Sequence, residues 1–146
     1  MLWWKRRDNA VSWKAARQRA ARGAAYLDAV DPGWYRHVDL RRLELADGTA
    51  CVLGQRYGSF LLGLGRSGLL NLSSAPLHSL SPVDYGFLCV QHVDAEVQAR
   101  DYALLNQAWR EEIRQRLVQE VLEAATEGLA KLASSAYECE PNATAK

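Results

Sequence analysis

The sequence predicts a mainly α fold: a compact single helical domain with a long C-terminal helix and at most one short strand pair. Three observations carry that prediction. Apolar residues recur at helical spacing across residues 94–134, and Ala16, Ala20, Ala24 and Leu27 do so near the N-terminus. Only two short segments, 37–45 and 87–93, read as strand about as well as anything else. The chain has 146 residues, 49% hydrophobic and 24% charged. A domain of that size buries about 68–70% of its extended surface on folding, so no disulfide or metal staple is needed. The domain is expected over residues 1–134, with 135–146 as a flexible tail.

Taken in chain order, residues 9–30 predict an amphipathic helix capped by Asp8 or Asn9, with Lys14, Arg17, Arg19 and Arg22 off its apolar face. Asp31-Pro32-Gly33-Trp34 stops it, because proline disfavours helical backbone in the residue before it. Val38, Leu40, Leu43 and Leu45 fit a short helix capped by Asp39, preferred over an alternating strand. Thr49 is placed to cap one helix running to residue 64, with Val52, Leu53, Tyr57, Phe60, Leu61 and Leu64 on its apolar side. Gly54, Gly58 and Gly63 each weaken that helix by about 1 kcal/mol relative to alanine, which calls for a close-packed neighbour. Residues 65–81 are a Gly, Ser and Pro loop, and Ser81-Pro82-Val83-Asp84 reads as the cap of a short helix ending near Gly86. The last helix, or two with a break near Gly128, carries Val97, Leu104, Leu105, Ala108, Trp109, Ile113, Leu117, Val121 and Leu122. The core should contain Trp34, Tyr57, Leu61, Leu105, Trp109 and Ile113.

Charge is unevenly spread. Residues 1–42 hold ten Lys or Arg against four acids, and residues 43–146 eight against thirteen. The basic front supports either an anionic partner or docking of one half on the other. Three widely spaced cysteines do not form a secreted disulfide framework, there is no signal-peptide core, and the longest apolar run is far short of a bilayer span. The expectation is a cytoplasmic protein without membrane insertion.

The candidate sites are few. Gly63-Leu-Gly65-Arg-Ser-Gly68 spells the dinucleotide fingerprint, which needs a strand before it and helix N-terminal amides facing the pyrophosphate. The helical periodicity upstream predicts instead a helix C-terminus capped at Gly65, with a turn at Gly68. Cys51, Cys89 and His92 are weak zinc candidates, lacking the paired close spacings of a structural site. No nucleophile has a base and orienting group nearby in sequence, so no catalytic residue, enzyme activity or cofactor is expected. The strongest chemical lead is Lys5, Arg6, Arg7, Lys14, Arg17, Arg19 and Arg22, interleaved with Trp3, Trp4 and Trp13. Cations neutralise phosphates and indoles stack on bases, so this stretch makes nucleic acid the alternative partner.

The ordered blocks RGAAYLDAVDPGW (22–34), HVDLRRLEL (37–45), CVLGQRYGSF (51–60), YGF (85–87) and YALLNQAWREEI (102–113) resemble a family of small proteins encoded by phages of actinobacteria and by their hosts. The resemblance covers residues 22 to about 116, with Leu53-Gly54-Gln55 and Trp109 its most recognisable points. It implies an accessory protein of phage or prophage setting that acts by binding, and it carries no catalytic residues over. Relatives often have a second cysteine where this chain has Gly48, and the stretch beyond Arg116 is its own.

The sequence therefore predicts a non-enzymatic accessory protein that binds a host or phage protein, with nucleic-acid binding as the alternative and a nucleotide-binding or metal-dependent enzyme the remotest. An exposed apolar patch along residues 117–133 would mark the first reading and would also suit homo-oligomerisation through the C-terminal helix.

Overall fold

A computed structural model describes residues 11–70 and 81–138 of the chain. Helix α1 spans Trp13–Val30, and its first free amides are met by Ser12, whose Oγ accepts from the Ala15 N–H at 3.1 Å. The expected caps, Asp8 and Asn9, lie outside the described residues. Ala16, Ala20, Gly23, Ala24 and Leu27 are buried, and this strip of small residues lets α1 lie close against the last helix. At Gly23 the approach leaves no room for a side chain: a Cβ there would stand 2.0 Å from the Tyr85 carbonyl oxygen and 2.8 Å from the Trp109 ring. The helix stops as expected at Asp31, and a 3-10 turn, Trp34–His37, inserts Trp34 into the core.

Residues 38–51 correct the sequence reading. They form successive turns rather than a helix, because their backbone groups find partners within the turns and on Gln55 and Asn106 instead of a helical ladder. Gln55 brackets Asp39, Glu44 N–H donates to the Ala50 carbonyl, and Leu45 N–H donates to Asn106 Oδ1 at 2.8 Å. The apolar side chains nonetheless point inward: Val38, Leu43 and Leu45 are buried.

The single helix expected over residues 50–64 is two. Helix α2 spans Val52–Tyr57 and α3 spans Phe60–Arg66. Gly58 takes φ +103°, a backbone state that ends α2, and Ser59 Oγ then accepts from Leu62 N–H to start α3. The break resets the helical phase. Leu61, expected in the core, is 75% exposed, whereas Leu53 and Leu64 are buried and Tyr57 is half-buried. The glycines do serve a close-packed neighbour, since a Cβ at Gly63 would lie 2.6 Å from Leu53 Cβ. The cap of α2 is Cys51, not Thr49: its Sγ accepts from Gly54 N–H at 3.2 Å.

Residues 81–86 form a turn in which Asp84 Oδ2 accepts from both the N–H and the hydroxyl of Ser81, one half of the predicted capping box, without a helix following. Residues 87–93 run as irregular chain, and no strand occurs among the described residues. Helix α4, Ala95–Glu138, is continuous for 44 residues, passing Gly128 without a break and extending past Ser134. The fold is thus mainly helical, with α1 on α4 and α2 on α3.

An aromatic cluster centres the core. Trp109 and Trp34 are fully buried, meeting edge to face at 5.7 Å, and Phe87 stacks on Trp109 at 5.1 Å. Both indole N–H groups are satisfied, Trp109 by the Gly86 carbonyl at 2.7 Å and Trp34 by Asp28 Oδ1 at 2.9 Å. Leu105 and Ile113 complete the predicted set that is buried.

Candidate functional site

The basic stretch resolves into residues with different tasks. Lys5, Arg6 and Arg7 lie outside the described residues. Arg19 is a structural residue: its guanidinium holds both Asp101 oxygens at 2.9 Å and donates to the Val83 and Leu88 carbonyls at 2.7 Å. Asp101 is fully buried and also accepts from Val90 N–H, so this pair ties α1, α4 and residues 83–90 together. Arg22 bonds the Asp84 carbonyl at the surface. Lys14 and Arg17 are exposed, and the Arg17 guanidinium lies 5.9 Å from the Trp13 ring centre. They border a shallow cleft of about 330 Å³ with Trp13, Gln18, Ala21 and the acidic Glu112.

Of the thiols, Cys51 has a structural part as the cap of α2. Cys51 and Cys89 are buried, burial pushes the Cys51 thiol up from its ordinary range, and no cluster of three metal-ligating side chains occurs among the described residues. His92 is exposed at φ +60°, apart from any such cluster. The glycine motif has no strand before it: it begins inside α3, and the chain is helical again at 69–70, so residues 65–70 are not the plain loop expected there. Gly63 and Gly65 are within α3, and their carbonyls accept from Ser67 N–H. Gly68, not Gly65, takes the left-handed backbone at φ +82°. An anion at Gly63 or Gly65 would meet carbonyl oxygens, the negative end of α3.

The remaining candidate is the far half of α4. Its core face ends at Leu117, and the ion pair of Glu120 with Arg36 is the last link between the helix and the body. Beyond it, every residue from 121 to 137 is exposed. Val121 and Leu122, the end of the expected apolar stripe, are 68% and 56% exposed because the body offers nothing to cover them. Val118, Leu129 and Leu132 are equally bare, at 59%, 69% and 69%. At 1.5 Å per residue this apolar rod reaches about 30 Å from the core. Among the described residues no helix is long and apolar enough to cross a membrane.

The Arg19–Asp101 pair escaped the sequence reading. Arg19 looked like one more solvated cation, yet Asp101 falls four, eight and twelve residues before Leu105, Trp109 and Ile113, in line with the buried stripe. An acid in such a line demands a cation. The chain matches no protein-family model, no curated protein and no solved structure.

Proposed function

We propose that the chain is a non-enzymatic accessory protein, of the phage or prophage type its sequence blocks resemble, which acts by binding another protein through the projecting half of α4. One observation supports this reading above the rest: Val118, Val121, Leu122, Leu129 and Leu132 are more than half exposed on a helix that has left its own core. A chain gains nothing for its own fold from five large apolar residues so placed. The test is affinity capture from the native host with the intact chain and with Leu122→Lys/Leu129→Lys. Capture by the first and its loss in the second is expected; equal capture by both overturns the reading.

The nucleic-acid alternative is favoured by Arg17 stacked near Trp13 beside Lys14. It predicts binding that weakens steeply with salt and falls on Lys14→Glu/Arg17→Glu. With Arg19 occupied by Asp101 and Glu112 at the cleft, it is the weaker of the two.

A further inference from the structure

The projecting half of α4 carries its apolar residues on the side opposite the core. At about 100° per residue, Trp109, Ile113, Arg116 and Glu120 mark the side that faces the body. Val118, Leu122, Ala125, Leu129, Leu132 and Ala136 lie on the reverse, separated by steps of four and three residues. That is the a/d spacing of a two-helix seam, sustained for nearly three heptads. The residues flanking the seam are Gln119, Val121, Thr126, Gly128, Ala133 and Ser135, all uncharged. Glu120, Glu123, Glu127 and Lys131 fall on the outer positions. A wide uncharged face with small residues at its edges is shaped for another helix at short range.

We propose that the occupant is a second copy of this chain, paired antiparallel over residues 118–136. This identifies the partner of the face already assigned to protein binding and rests on that reading. Three observations choose this occupant and direction. The seam is self-complementary: about a two-fold axis near Glu127, Leu122 meets Leu132 of the second copy, and on either side of that pair Leu129 meets its Ala125 and Val118 meets its Ala136, large against small. Upstream, the same side of α4 bears Arg100, Glu111 and Arg114, which a parallel pairing would set against their own copies. An antiparallel overlap confined to 118–136 leaves those charges outside and keeps the two bodies at opposite ends. The overlap of about 30 Å buries on the order of 1,000 Å², at the lower bound for a biological interface, which makes this a micromolar, exchanging pair rather than an obligate one. An anionic lipid surface is disfavoured as occupant, because the polar face of this stretch carries three glutamates against one lysine and the seam's own edges carry no cation.

The experiment measures the mass of the full chain by light scattering at high micromolar concentration, in low and high salt, alongside Leu122→Lys/Leu129→Lys. The expected result is twice the mass of one chain at both salt levels and a single-chain mass for the variant, with the near-ultraviolet signal of the buried tryptophans unchanged. Spin labels at Tyr137→Cys in a Cys139→Ser background should then lie about 30 Å apart, against about 10 Å for a parallel pair. A single-chain mass for the unaltered protein, a dimer that survives the lysines, or the shorter distance each overturns the proposal. A monomer that still captures another protein through Leu122 and Leu129 overturns self-pairing alone and leaves the binding reading standing.

Discussion

Arg19 shows how one residue can be misread when only its charge is considered. On a helix wheel it flanks the strip of Ala16, Ala20 and Gly23, where its aliphatic stem can lie along apolar surface while the guanidinium reaches Asp101. Removing one member of such a buried pair strands the other, and the cost is about 3–5 kcal/mol. Arg19→Ala should therefore lower the unfolding free energy by about that amount, measured by urea denaturation. Arg22→Ala, three residues on and holding one surface carbonyl, should cost about 1 kcal/mol or less. Equal effects would remove the distinction drawn between them. Cys51 is a second residue whose part is structural: its sulfur takes the place usually held by a serine or aspartate oxygen at a helix start.

At the scale of elements, α1, the stop at Asp31 and the long α4 could be read directly, because each rests on local rules: periodicity, capping and proline. Residues 38–51 and the break at Gly58 could not. Their backbone conformation is set by Asn106, Gln55 and Ala50, partners that periodicity does not reveal. The candidate site was half visible: the patch expected along 117–133 is there, but drawing Val121 and Leu122 into the same apolar stripe as Leu105 and Trp109 assumed that one apolar face runs the length of the helix. Packing along α4 is as uneven as its exposure. In the monomeric Leu122→Lys/Leu129→Lys protein, amides of 121–137 should exchange orders of magnitude faster than those of 101–117, where Asp101, Leu105, Trp109 and Ile113 are buried. Uniform protection along the helix would contradict this account.

For the molecule as a whole, pH reports how the helices are joined. Asp28 is held below the usual aspartate range by its hydrogen bonds to Arg116, and Asp31 by those to Arg56 and Tyr57. A carboxyl lowered on folding adds stability that is complete above its unfolded value of about 3.9 and is lost as pH falls through the folded value. Stability should thus drop below about pH 4, less steeply in Asp28→Asn/Asp31→Asn, as followed by urea midpoints. Tyr57 and Tyr102 are both pushed up to about 12, mainly by burial, with help from Asp31 and Cys89 respectively. Their contribution is whole below about pH 10 and disappears between pH 10 and 12. Tyr57→Phe should reduce the alkaline loss. A flat profile at both extremes would mean that these contacts do not join the helices in solution.

The unbroken course of α4 through Gly128 makes it a rigid shaft with two working surfaces, one gripping the body and one turned half a revolution away. Their angular offset is fixed by residue count alone. One alanine inserted between Leu117 and Val118 would swing the outer surface by about 100°, while a whole heptad would lengthen the shaft by about 10 Å and nearly restore its bearing.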